Sequence, residues 1–550
     1  MDNYDISKIL GIYAKLYELH GGNPFKIKSI ASAAFNIKKV GESILLLSDE
    51  QLAVNPQISK TILPKIIELK NTGTIQELED LYSKTPIGVL DILKIKGLGP
   101  KKVEVLWKEY DITSVIELAE ACRENRLVEM KGFGLKTQDL ILKNIQFLLN
   151  QEGKLHWAKT EKIANNILEK TKDFQNVLNI KSTGSFRRLN ETIDNLEFVL
   201  QLDNIESFIQ SMVSDELVLS SKGESVLSFL FNENFDIKFH IAAADNFEQI
   251  LFETTATPEH LKIVNYQINS ADGKTELQIY ESLNLPFILP ELREGLSELN
   301  HLNFQNSLIK YEDLKGVIHN HSTYSDGLDT LKDMADFAKE LNFEYLVICD
   351  HSQTASYANG LKPDRVLQQF QEIDSLNKSY QNFKVFKGIE SDILGDGSLD
   401  YESSLLSEFD VVVASVHSNL TMDLEKANAR LIKAIENPFT RILGHPTGRL
   451  LLMREGYPID YKFILDACIA NNVVIELNAH PYRLDIDWRY ISYIIDKGGM
   501  ISINPDAHQK QGYFDMKYGV NVARKGYLMP ENCLNAKNLD QFSIWVKNKK

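Results

Sequence analysis

Cysteine is scarce in this chain. Four thiols, Cys122, Cys349, Cys468 and Cys533, are spread over 550 residues with no Cys-x-x-Cys pair. That spacing excludes a disulfide framework and a zinc ribbon, and it fits a reducing cytoplasm. Long apolar runs are missing as well: none reaches the ~18 residues that a membrane-spanning helix needs. The start, Met1-Asp2-Asn3-Tyr4-Asp5, has neither the basic residues nor the apolar stretch of a signal peptide. There is no basic excess, because 60 Lys and Arg stand against 76 Asp and Glu, a net charge of −16. Taken alone, that balance argues against nucleic acid as a partner. What is present is ordinary for a folded protein, since 43% hydrophobic and 25% charged residues exclude global disorder. A chain this long outgrows a single core, so several domains are expected.

The charge is unevenly distributed. Residues 1–150 carry +1, residues 151–315 carry −11 and residues 316–550 carry −6. The first segment reads as helical, with apolar residues at helical spacing in Ile9–Leu16 and Ile62–Leu69. Two stretches there share one pattern, Leu93-Lys-Ile-Lys-Gly97-Leu-Gly99-Pro-Lys101-Lys102 and Leu127-Val-Glu-Met-Lys-Gly132-Phe-Gly134-Leu-Lys136-Thr137. Each sets Gly-x-Gly between an apolar helix end and a new helix. Glycine permits the tight turn, and backbone amides at a helix N-terminus hold a phosphate without reading a base. Either copy alone would pass for a plain αα-hairpin. The pair resembles the helix-hairpin-helix motif of DNA-binding proteins, which implies backbone contacts through Gly97, Gly99, Lys101, Lys102, Gly132, Gly134, Lys136 and Thr137.

In the middle segment, Thr-Gly184-Ser185-Phe-Arg187-Arg188 sets Gly-Ser before a helix start and follows it with two arginines, a plausible triphosphate cradle. This block resembles the nucleotidyltransferase palm of family X DNA polymerases. That family carries an Asp-x-Asp pair on the next strand and a third Asp on a neighbouring one. Asp236 fits the third position, but register from Arg187-Arg188 and Glu191-Thr192 puts Asn195 and Glu197 at the first two. Asp194 is adjacent and should face away, because side chains alternate along a strand. A neutral amide cannot bridge two ions as a carboxylate does. A degenerate palm is therefore expected over residues 151–241, with polymerase activity lost or weak and a magnesium site in doubt. A thumb-like domain and linker would follow over 242–315.

From Gly316 short apolar strands alternate with helices: Val317–His319, Tyr345–Cys349, Val385–Gly388, Val411–Val416, Arg441–Leu443, Val473–Leu477 and Met500–Ile503. The rhythm predicts βα units and a parallel barrel, whose chemistry gathers at the strand C-termini. His319, His321, Asp326, His351, Glu390, His417, His445, Asp506 and His508 all fall there. Six of the chain's 12 histidines are in this set. His319 and His321, two residues apart on one strand, are expected to face the same side. Nine nitrogen and oxygen ligands exceed what one ion needs, and imidazole with carboxylate suits zinc, manganese or iron.

The series resembles the PHP (polymerase and histidinol phosphatase) domain over nearly all of residues 316–530, including Asp396-Gly-Ser, His445-Pro-Thr-Gly-Arg449 and Asn478-Ala-His-Pro-Tyr-Arg483-Leu-Asp485. The resemblance implies one ion on His319, His321, Glu390 and Asp506, a second on Glu390, His417 and His445, and a third on Asp326, His351 and His508. Clustered divalent ions lower the pKa of water and neutralise a phosphate ester. Arg449 and Arg483 are candidates to clamp phosphate oxygens, and His480 is either an assistant or a structural neighbour.

The order of segments resembles the bacterial family X DNA polymerases with a fused PHP domain. The expected fold is a helical helix-hairpin-helix N-terminus, an α/β palm with a small thumb, and a distorted (β/α)7 barrel over 316–550. The expected function is a metal-dependent 3′→5′ exonuclease or 3′-end phosphoesterase in DNA repair, in a cytoplasmic monomer that grips DNA without sequence preference and has no membrane partner. A small-molecule phosphatase, an active repair polymerase and a non-catalytic DNA-end scaffold are the alternatives. Gly21-Gly22-Asn23-Pro24-Phe25-Lys26 resembles part of the family's abasic-lyase domain, but assigns no nucleophilic lysine.

Overall fold

The computed structural model describes residues 3–37, 40, 43–55, 57–124, 126–130, 132–151, 153–267 and 273–548. The chain divides into two compact units, Met1–Glu152 and Gly153–Lys550. No helix among the described residues is long and apolar enough to cross a membrane.

The first unit is helical, and its helix ends are written in its sequence. Ser48 and Ser114 close capping boxes with Gln51 and Glu117, and Gly73 ends the helix Leu63–Thr72 in the left-handed conformation. The periodic apolar residues turn inward: Ile6, Leu10, Ile62, Ile66, Val89, Leu106 and Leu118 share one core. Two helix pairs end the unit. Ile87–Ile92 leads into Pro100–Tyr110, and Val115–Arg123 leads into Leu135–Gln151.

The second unit begins with a two-stranded ribbon and a five-stranded sheet. The ribbon pairs β1 (Leu155–His156) with β3 (Thr192–Ile193). The sheet consists of β2 (Val177–Thr183), β4 (Asn195–Leu202), β5 (Leu217–Lys222), β6 (Val226–Phe231) and β7 (Phe235–Ile241), in the order β2-β4-β7-β6-β5. Only the β4–β7 pair is parallel. Phe198, Phe208, Phe229 and Phe239 are fully buried behind it. A separate apolar cluster follows, built on Phe252, Ile279, Tyr280, Ile288 and Leu292.

The rest is a parallel barrel of β8 (Gly316–Asn320), β9 (Tyr345–Ile348), β10 (Lys384–Asp392), β11 (Val411–Ser415), β12 (Thr440–Leu443), β13 (Val474–Asn478) and β14 (Ile501–Asn504). Each strand pairs with the next in sequence, and a bridge from Asn320 to Ala507 nearly closes the ring. Apart from Lys384 and Lys387 of β10, the strand residues are buried on both faces, as parallel strands between helices must be. Inward residues such as Ile318, Val347, Val413 and Ile442 fill the interior together with Phe542 of the helix Leu539–Lys547. Phe542 stacks on Tyr345 with ring centres 4.1 Å apart. A packed interior leaves the strand C-termini as the place where polar side chains can converge.

Candidate metal centre and its neighbours

The nine predicted ligands converge at those strand ends, around Glu390 of β10. Its Oε1 lies 3.2 Å from His319 Nε2, 3.1 Å from His417 Nε2 and 3.1 Å from His445 Nε2. Its Oε2 lies 2.9 Å from His351 Nδ1 and 3.7 Å from His321 Nε2. Asp506 Oδ1 is 3.1 Å from His321 Nε2 and 3.8 Å from His319 Nε2. Asp326 Oδ1 stands 3.4 Å from His508 Nε2 and 3.7 Å from His351 Nε2. Three sets have ligand atoms within 4.8 Å of one another: His321, Asp326, His351 and His508; His319, His321 and Asp506; and His351, Glu390 and His417. His321 and His351 each belong to two sets, so the partition is more shared than the resemblance implies.

The residues fit divalent cations. Glu476 of β13 accepts the Nδ1 proton of His319 at 2.6 Å, which leaves the Nε2 lone pair aimed at Glu390 and Asp506. His319 Nε2, His321 Nδ1 and Glu390 Oε2 are buried without a hydrogen-bond partner. Lone pairs that face one another in a dry site need a positive charge between them. Protonation shows the same demand. Burial opposes charging His417, but Glu390 and the bond to Asp392 outweigh it and push its pKa up to about 10. His508 is likewise carried up to about 9 by Asp326 and Asp506, against its burial. Burial also opposes ionising Glu390 and Asp506, yet the imidazoles around them, His417 and His319 foremost, hold both carboxyls well below the usual range. His321, buried and facing His508 and His351, falls to about 4.

Backbone geometry helps place these groups. His319, His445 and Asp506 have φ of 61°, 21° and 52°, the region that non-glycine residues rarely adopt. The register between β8 and β9 shifts between Val317 and Asn320. His319 and His321 therefore share the site through a bulge and a left-handed residue rather than through simple strand alternation.

Glu476 and Asp392 complete the site although neither carries a recognisable ligand motif in the sequence. Glu476 also accepts the His445 backbone N–H at 2.9 Å and Asn504 Nδ2 at 2.8 Å. Its signal was a lone carboxylate inside the apolar strand Val474-Ile-Glu476-Leu-Asn478. Asp392 binds His417 Nδ1 at 2.5 Å from a position two residues beyond Glu390, on the same strand face. Arg483 borders the centre, with Nε 3.6 Å from Asp506 Oδ2. Arg449 does not face it. Its guanidinium bonds Asp487 at 2.9 Å, the Arg483 carbonyl at 3.0 Å and the Leu484 carbonyl, so it ties loops together instead of facing a phosphate. His480 accepts the Tyr482 N–H on Nδ1, and burial lowers its pKa to about 4, which keeps it neutral.

In the first unit, Gly97 and Gly132 adopt φ of 89° and 90°, as the hairpin turns require. Gly99 precedes Pro100 at the start of the helix Pro100–Tyr110, and the Gly134 carbonyl opens the helix Leu135–Gln151 by accepting from Thr137 at 2.8 Å. Gly97, Gly99, Lys101, Gly132, Gly134 and Lys136 are exposed, and Lys102 and Thr137 half-buried. The hairpins touch, with Asn144 Nδ2 donating to the Lys96 carbonyl at 2.7 Å. The second hairpin departs from the expected pattern, because a 3₁₀ turn, Arg126–Glu129, precedes it in place of an apolar helix end. Lys131 lies outside the described residues.

Comparison with known proteins finds relatives of both the hairpin segment and the barrel. The family model for a SAM-like helix-hairpin-helix tandem matches residues 89–146, and that for the PHP domain matches residues 318–480. Over the full length of both chains, the sequence is 32% identical to the DNA polymerase/3′-5′ exonuclease PolX of Bacillus subtilis (strain 168). The chain belongs to the bacterial family X DNA polymerases with a fused PHP domain. At 28% identity, 43% of the chain also covers 97% of each of two proteins named "Probable phosphatase", from Thermoanaerobacter sp. (strain X514) and Thermoanaerobacter pseudethanolicus.

Around the five-stranded sheet expected as the palm, Glu197 and both arginines are engaged by neighbouring side chains. β4 and β7 run parallel and set Asn195 against Asp236. Asn195 Oδ1 is buried without a hydrogen-bond partner, Asp236 is exposed, and Asp194 pairs with Lys154 at 3.3 Å. Glu197 binds His240 Nε2 at 2.7 Å. A Cβ on Gly184 would come within 2.8 Å of the Glu197 carboxylate, which therefore lies over the Gly184-Ser185 turn. The two arginines expected to cradle a triphosphate are occupied. Arg187 makes a bidentate pair with Glu276 at 2.9 and 2.6 Å, and Arg188 bonds Glu294 at 3.2 Å and the Thr255 carbonyl at 2.7 Å. Burial disfavours the charge on Glu276, but the Arg187 hydrogen bonds and Arg293 hold its carboxyl below the usual range. No potential metal-ligand trio is found in the palm among the described residues.

Proposed function

We propose that the chain processes DNA 3′ ends through its barrel, as a metal-dependent 3′→5′ exonuclease or 3′-phosphoesterase, and that its palm, residues 151–241, no longer polymerises. The carrying observation is the gathering of five histidines around Glu390, with Asp326, Asp506 and His508 beside them. Divalent ions bound there would supply Lewis acidity and neutralise phosphate charge. The chain's own residues set the stage for them. Glu476 and Asp392 fix the tautomers of His319 and His417, so that each presents Nε2 to the centre. Arg483, beside Asp506, is placed to bind a phosphate oxygen of the terminal nucleotide. The exposed glycine turns of the hairpins would hold the sugar–phosphate backbone without reading bases. Manganese, zinc and iron all suit the imidazole and carboxylate donors.

The palm reading rests on Asn195, which cannot bridge two ions, and on the arginines neutralised by Glu276 and Glu294. The decisive assay is digestion of a 3′-recessed duplex with manganese. Loss of digestion in His319→Ala with DNA binding retained supports the nuclease, whereas survival of activity contradicts the site. One observation favours a second reading: the barrel spans nearly the full length of the relatives named as phosphatases. Faster hydrolysis of a small phosphomonoester than of the oligonucleotide would favour it.

A further inference from the structure

We propose that the ribbon of β1 and β3 braces the rim of the barrel site, making Glu191 and His156 positioning residues for hydrolysis there. This rests on the nuclease reading above.

The ribbon holds His156 opposite Thr192, and Glu191 immediately precedes it. Both side chains meet the two loops that leave β12 and β13. His156 Nε2 bonds the Leu451 carbonyl at 2.9 Å, and its ring lies 4.3 Å from that of Tyr482. The same two loops are tied directly, since Leu451 N–H donates to the Tyr482 carbonyl at 2.7 Å. One histidine thus touches both partners of that tie. Glu191 Oε1 stands 3.3 Å from Arg489 and 3.9 Å from Arg449. Arg449 in turn holds the carbonyls of Arg483 and Leu484, and Arg483 reaches Asp506 at 3.6 Å. A continuous path of polar contacts therefore runs from the palm side to the cation that borders the metal centre.

The path has an electrostatic reason. Arg449, Arg489 and Arg483 gather beside the loop after β13, where Asp487 pairs with the first two and Asp506 with the third. Glu191 adds a further carboxylate to Arg449 and Arg489, nine-tenths buried, where screening is weak. Without it, Arg449 has less to anchor it, and the loop carrying Arg483 loses its fixed position. A degenerate palm would then persist because it supports the nuclease, not because it binds nucleotide.

The test compares Glu191→Gln and His156→Phe with the wild type in the full-length protein, on the 3′-recessed duplex with manganese. Each variant should lower kcat about tenfold, short of the ~10²-fold cost of misplacing a group by an ångström, with KM little changed. Bound manganese, measured by elemental analysis, should be unaltered. Glu191→Asp should recover part of the loss. In an Arg483→Ala background, Glu191→Gln should cost nothing further, because the two act in series. Full additivity in that cycle, wild-type kcat in both variants, or loss of manganese along with activity would each overturn the brace. If Glu191→Gln does not fold, His156→Phe decides. An inactive wild type would instead overturn the nuclease reading.

Discussion

At the residue scale, the centre depends on carboxylates that stand behind the ligands as much as on the ligands. Glu476 fixes the His319 proton and also holds the His445 backbone. Glu476→Gln should weaken metal binding by about 10- to 100-fold while the ligands remain, as calorimetric titration would measure. Protonation gives a second expectation. Without ions, the folded protein holds His417 at about 10, above the ordinary 6.5. Its contribution to stability is therefore complete below about 6.5 and lost as pH rises through about 10. Metal binding needs the neutral imidazole, so loading at pH 7.5 should release protons and weaken as pH falls. Titrations in two buffers of different ionisation enthalpy would detect the release, and equal heats would contradict it. The ligand types were legible in the sequence because they stand in or shortly after the last residues of short apolar strand runs. The role of Arg449 was not, because its partners Asp487 and Glu191 come from distant parts of the chain and only folding brings them together.

At the element scale, each of the seven barrel strands was visible as a short apolar run between helical stretches. Two features escaped that reading. The bulge at His319 breaks the two-residue period on which strand reasoning rests. The plug formed by Leu539–Lys547 is an amphipathic helix by pattern, and nothing local says that Phe542 enters the barrel against Tyr345 and Phe386. Phe542→Ala should cost about 3–5 kcal/mol, read from denaturant melts, because the emptied space has no neighbour free to fill it. The hairpin turns carry a different expectation. A Cβ at Gly97 would make only ordinary contacts, with Leu140 at 3.7 Å and Asn144 at 3.9 Å, but its φ of 89° resists a side chain. Gly97→Ala should cost about 1–2 kcal/mol and weaken DNA binding by distorting the turn.

At the scale of the whole molecule, the charge of −16 is misleading as a guide to partners. The acid excess sits mainly in residues 151–315, and the hairpin unit carries +1. Within that acidic region Glu276 and Glu294 close on Arg187 and Arg188. Primer extension with manganese and all four nucleotides should therefore give no robust synthesis, and robust synthesis would contradict the palm reading. DNA binding through the hairpins should fall steeply with salt, since backbone contacts dominate it. The central claim is that the barrel is the working part. The measurement that tests it most directly is manganese-dependent digestion of a 3′-recessed duplex by the full-length wild type and by His319→Ala. The expected result is stepwise 3′→5′ shortening by the wild type and none by the variant, with DNA binding equal in both. Equal digestion by the two proteins, or none by the wild type, would contradict it.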